Sequence, residues 1–149
     1  MDSTESIESH RKLVKALANI FICKLARDAI DHDMSKLSSP EKEQYDKMIG
    51  EKGKHPYDSP EYNENIAVLG KALDHHYKHN SHHPEHFKDG ISGMTLIDLV
   101  MMYIDWKASM LENPKGDMCR SIHLGAERFS MDSQLVAIFE NTTEWFDKQ

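Results

Sequence analysis

A chain of 149 residues and 17.2 kDa, 39% hydrophobic and 29% charged, is long enough for one domain with a single sizeable core and too apolar for a disordered segment. Its formal charge of -7 and pI near 5.8 argue against a general nucleic-acid binder, which carries a basic face, while allowing a local basic pocket for a small anion. Cys23 and Cys119 lie far apart and outside any CxxC pattern. They indicate neither a zinc ribbon nor a disulfide framework and read as free thiols in a reducing cytosol. Met1 to Glu5 is acidic and polar with no apolar run behind it, so no signal peptide is expected. The longest apolar-rich run, Met94 to Trp106, contains Asp98 and Asp105 and is too short to span a bilayer. The expected location is the cytoplasm, with no membrane association.

From about Ser6 to Ile30 the apolar residues Leu13, Val14, Leu17, Phe21 and Leu25 recur at helical spacing, with Asp2, Ser3 and Thr4 as candidate caps. One step back along that stripe lies His10. The segment Asp31-His32-Asp33 either ends this helix or begins a short one. Ser38-Ser39-Pro40-Glu41 predicts a cap and a proline-led helix through about Met48. Gly50 to Ser59 reads as a loop. Ser59-Pro60-Glu61 repeats the cap-and-proline start of a helix that carries Ile66, Leu69 and Leu73 towards a histidine cluster. Pro84, Gly90 and Gly93 break regular structure between Ser81 and Gly93. Met94 to Leu111 predicts a central buried helix. A turn at Asn113 to Asp117 leads into two more helices, about Met118 to Phe129 and Asp132 to Phe146. No strand pattern or internal repeat is present. The expected fold is all-α, about six or seven helices in a single domain over 1–149, with a site-bearing core at about 6–112 and packing helices at about 118–148.

Several polar residues stand where chemistry is expected. The adjacent pair His32-Asp33 offers one imidazole nitrogen and one carboxylate oxygen to a divalent metal, and Lys36 could hold a phosphate beside it. Asp105 interrupts an apolar run, so it either points inward to a charged or metal partner or lies at the solvent edge. Of the ten histidines, six fall between His75 and His86. If the helix persists through them, His75, His79, His82 and His86 share one face and His76, His79 and His83 another.

A histidine on a first helix, an adjacent His-Asp pair and one aspartate on a later helix resemble the HD superfamily of metal-dependent phosphohydrolases. The segment Asp31-His32-Asp33-Met34-Ser35-Lys36 resembles the form with a small residue and a lysine after the pair. Tyr77 to His86 and Ile104-Asp105-Trp106 resemble a small bacterial and phage branch of that superfamily. The resemblance covers roughly His10 to Ala108. It implies an HD-type helical domain in which His10, His32, Asp33 and Asp105 bind one divalent metal. Asp33 would also steer a water and Lys36 would bind and stabilise the phosphate. Some HD enzymes hold a second metal with histidines from the later region; His76 and His83 are the candidates here, either as that second site or as substrate-binding groups. The chain departs from better-known branches. It lacks a Gly-Tyr-Pro signature near Asp89 to Gly93, and it has no glutamate after the His-Asp pair at the catalytic position of the nucleoside-monophosphatase relatives. Glu41, Glu43 and Glu85 stand as alternative general acids.

The resemblance thus implies a hydrolase acting on a small phosphorylated metabolite, a nucleotide foremost, with Mn, Fe, Co, Ni, Mg or Zn as cofactor and no stable nucleic-acid partner. Two other readings fit the same residues: an HD-type di-iron oxygenase, and a non-catalytic protein that binds metal or nucleotide for regulation. Phe129, Met131, Phe139, Trp145 and Phe146 could form a homo-oligomer face or ordinary core.

Overall fold

The computed structural model describes residues 2–49, 54–56 and 58–149. Among them are six α-helices and no strand: α1 (Ser3–Asp31), α2 (Glu41–Met48), α3 (Pro60–His79), α4 (Leu96–Glu112), α5 (Met118–Phe129) and α6 (Ser133–Phe146). The expected all-α class holds. None of these helices is long and apolar enough to cross a membrane. Half of the predicted loop at Gly50 to Ser59 lies outside the described residues. The chain divides into two units, one ending at His32 and one covering Asp33–Gln149.

The first unit is α1 itself. Asp2 caps it by accepting hydrogen bonds from the backbone N–H of Thr4 at 2.7 Å and Glu5 at 3.1 Å, which starts the helix three residues before the apolar stripe predicted it. Its 29 residues make a rod about 44 Å long. The chain leaves the helix at His32, its C-cap residue.

The second unit opens with Asp33 in the left-handed region, at φ 57° and ψ 15°, which aspartate tolerates better than most side chains. A 3₁₀ turn over Met34–Leu37 follows. Pro40 then occupies the N-cap position of α2, and Glu41 is the first helical residue. Helix α3 starts as expected, with the Ser59 side chain accepting from Tyr62 N–H at 3.2 Å and Pro60 in the first turn. Gly70, at φ 41° and ψ -116°, breaks α3 mid-way, a backbone state that suits glycine and strains other residues. Two further 3₁₀ turns, Pro84–His86 and Gly90–Gly93, lie between α3 and α4.

The core sits among the last three helices. Met102 and Tyr103 of α4 pack with Met118 and Ile122 of α5 and Phe139 of α6, all buried. Tyr103 buries its hydroxyl at 2.9 Å from Thr143 Oγ1, and Thr143 Oγ1 in turn donates to Phe139 O at 3.0 Å, so the polar tip of the ring is satisfied. In α4 the buried residues are Met101, Met102 and Tyr103, while Leu96 and Leu111 towards its ends are exposed, so the predicted central buried helix is buried at its middle. Asp98 serves the capping box of Thr95 at the start of this helix. Of the aromatic residues weighed as a dimer face, Phe139 is core, whereas Trp145 is 56% exposed.

Helices α4 and α5 approach closely because residue 125 is glycine. A Cβ there would lie 2.2 Å from Trp106 Cη2. Gly125→Ala is therefore expected to destabilise the second unit by about 1–3 kcal/mol, since the indole must leave its place against Phe129 and Phe139. Urea melts of the two proteins check this.

Candidate metal centre

The second unit gathers Asp33, His76, His82 and His83 at one point. His76 Nε2 lies 2.9 Å from His83 Nε2 and 3.3 Å from Asp33 Oδ1. His82 Nε2 lies 3.5 Å from the same Asp33 oxygen. One ligand atom from each of the four falls within 4.8 Å of the others, close enough for the four to converge on a single ion of the Zn or Fe class. His76 is 1% and His82 7% exposed.

Local structure explains the convergence. Asp33 heads the 3₁₀ turn, closed by Lys36 N–H donating to Asp33 O at 2.9 Å, and Lys36 Nζ donates to Asp33 Oδ2 at 2.5 Å. His76 occupies the last turn of α3. Asn80, the C-cap residue of α3, donates through Nδ2 to His76 O and to Ser35 Oγ, both at 2.8 Å. That one side chain ties the end of α3 to the turn that carries Asp33. Because the helix stops at His79, His82 and His83 lie on the loop beyond, and adjacent residues can both face the cluster. Ser81 Oγ donates to Asp98 Oδ1 at 2.6 Å, holding this loop to the start of α4.

The remaining cluster histidines have other partners. His79 Nδ1–H donates to His75 O at 2.8 Å, and the two rings stack with centroids 4.0 Å apart. His86 Nδ1–H donates to Tyr77 O at 3.0 Å. His75 Nδ1 is 2.7 Å from Glu41 Oε1, and His76 Nδ1 is 2.9 Å from Glu41 Oε2. Glu41 is fully buried. Burial raises its pKa, but hydrogen bonds from His75, Ser35 and His76 outweigh that and hold the carboxyl below its ordinary value. Burial, then His82 and His76, pushes His83 down to about 3, and burial foremost lowers His76. Both imidazoles are neutral at pH 7, the state in which histidine ligates a metal.

Asp105 is half-buried on α4, and one of its oxygens lies within 4.8 Å of an Asp33 oxygen. It lines a cavity of about 600 Å³ together with Lys36, His83, Tyr45, Tyr62 and Trp106. Lys115 and Arg120 also line it, whereas Arg128 is held by Glu85 at 2.6 Å. Lys36 Nζ stands 5.1 Å from the centre of the Tyr45 ring. Burial, then the charges of Asp33 and Glu41, raises the pKa of the Tyr45 hydroxyl, so it stays a hydrogen-bond donor.

Of the sequence-predicted residues, Asp33, Lys36, His76, His83 and Asp105 meet in this region. His10 is exposed on α1, and His32 caps the same helix. Unbroken helix between them sets the two about 33 Å apart along the axis. His10 and His32 therefore cannot share one ion within one chain. His82 joins the site without having been singled out for it, and Glu41, weighed with Glu43 and Glu85 as a general acid, joins it as the partner of His75 and His76. A continuing helix would have placed His82 away from His76 and His83, and Glu41 reads from sequence as an ordinary first-turn acid.

The family model described as "Family of unknown function (DUF5662)" matches residues 1–146. Neither a curated protein nor a solved structure matches the chain.

Proposed function

The chain belongs to the DUF5662 family, and we propose that this member is a metal-dependent phosphohydrolase acting on a small phosphorylated metabolite, a nucleotide foremost. The observation that carries this reading is the convergence of Asp33, His76, His82 and His83 beside a lysine and a cavity of about 600 Å³. That volume suits a ligand of nucleotide size.

Three imidazoles and one carboxylate suit Zn, Fe, Co or Ni better than Mg, which takes oxygen ligands. A divalent ion held by these four residues supplies Lewis acidity at the phosphate. Lys36 binds the phosphate oxygens, its ammonium positioned by Asp33, and offsets the charge that builds on them. Tyr45, Tyr62 and Trp106 provide flat apolar surface for a ring attached to that phosphate. In the hydrolysis, a water oxygen bonds to phosphorus and the phosphorus–oxygen bond of the ester breaks. The water proton passes to the carboxylate of Asp105, and the leaving oxygen takes a proton from solvent.

The test is metal analysis of the purified protein followed by assay of a nucleotide and phosphoester panel with added Co, Zn, Mn, Ni, Fe and Mg. Turnover with Co or Zn is expected. Lys36→Ala should keep the metal content and lose about 10²-fold or more in kcat, the usual effect of removing one donor to a charged transition state. A metal-loaded protein inert across the panel would overturn the reading.

A further inference from the structure

We infer that Glu41 is a positioning residue: its carboxylate fixes His76 as the Nδ1–H tautomer and so aims the Nε2 lone pair at the cluster. The inference rests on the metal reading above for its purpose, but not for its geometry.

A glutamate fully buried at the first turn of a helix needs partners, and Glu41 has two imidazoles, one on each oxygen. An ionised carboxylate only accepts. Both short contacts therefore require Nδ1–H on His75 and on His76. With its proton on Nδ1, His76 presents a bare Nε2 towards Asp33, His82 and His83, and His83 Nε2–H donates to it at 2.9 Å. A carboxylate behind a ligating imidazole sets ring orientation and raises ligand basicity. The second imidazole, His75, meets the other Glu41 oxygen from the solvent side, with its own side chain 31% exposed. Asn80 and Ser35 hold the same end of α3, so the ring has little freedom left.

Glutamine has one accepting oxygen where glutamate has two. In Glu41→Gln one imidazole must face an amide NH₂, give up its Nδ1 proton and carry it on Nε2 instead. If His76 does so, its lone pair leaves the cluster. If His75 does, His76 is left on a neutral amide oxygen, a weaker acceptor that lowers its basicity as a ligand, so either arrangement weakens binding.

The experiment has two arms on the full chain. The first reads the His76 tautomer of the metal-free wild type by long-range ¹H–¹⁵N NMR, where Nδ1–H is expected and Nε2–H overturns the inference. The second measures Co²⁺ affinity by competition, alongside thermal melting. Glu41→Gln should bind about 10–100-fold more weakly than wild type, and His75→Ala should bind as wild type does. Equal affinity in Glu41→Gln, or an equal loss in His75→Ala, overturns the positioning role. Wild-type protein that takes up no Co²⁺ removes the metal reading instead, while the tautomer of His76 still decides this one.

Discussion

Asp33→Asn is expected to lower Co²⁺ or Zn²⁺ affinity by more than about 100-fold and to abolish turnover, a larger loss than that for an outer partner such as Glu41. Asp33 is the only anion among the four converging ligands, and its Oδ1 lies within 3.5 Å of both His76 Nε2 and His82 Nε2. Without it a dication faces three neutral imidazoles, and Lys36 loses the carboxylate that orients it. Asparagine is the informative replacement because it tolerates the left-handed backbone at φ 57° as well as aspartate does. Alanine would add backbone strain of about 1 kcal/mol or more. Isothermal titration with Co²⁺, with circular dichroism to confirm the helices, measures the effect. An Asp33→Asn protein that binds Co²⁺ as tightly as wild type would exclude the cluster as the metal centre.

The second large effect is on stability. The four converging residues come from two places in the chain, the turn after residue 32 and the stretch 76–83, so an ion bound by all four would cross-link them in the folded state alone. At a thousandfold excess over its Kd, an ion binding only the folded protein stabilises it by about 4 kcal/mol. For a unit of this size that corresponds to a Tm rise of roughly 10 °C or more. Zn²⁺ or Co²⁺ added to chelator-treated protein should produce that rise, and Mg²⁺ at the same concentration should not. Differential scanning fluorimetry distinguishes the cases. An equal rise with Mg²⁺ would mean that oxygen ligands, and not the imidazoles, hold the ion.

The helices were legible because each carries its signal locally. The stripe from Leu13 to Leu25 repeats at helical spacing, Ser59-Pro60 announces the start of α3, and Asn113 to Asp117 marks the turn before α5. The site was legible only in part. Asp33, Lys36, His76, His83 and Asp105 stood out as polar residues in telling positions. His82 did not, because its place depends on where α3 stops, and Asn80 decides that by bonding to Ser35 from a distant part of the chain. What sets Glu41 apart from Glu43 and Glu85 was hidden for the same kind of reason. Nothing local distinguishes an exposed first-turn glutamate from one buried between two imidazoles about 35 residues away. His10 shows the converse: its helical phase and the run of helix to about Ile30 were both readable, and only whether Asp31-His32-Asp33 ended that helix was not.

The break at Gly70 has a consequence for how the sequence can change length. Each residue added to a continuous helix rotates everything beyond it by about 100°, which would swing His76 out of the cluster. A glycine that already departs from helical geometry can absorb an added or lost residue on its N-terminal side, with the last turn of α3 staying where Asn80 pins it. Between Gly70 and Asn80 there is no such joint. The first half of α3 can therefore change length without turning His76, while Lys71 to His79 behaves as a ruler whose count sets the direction of an imidazole.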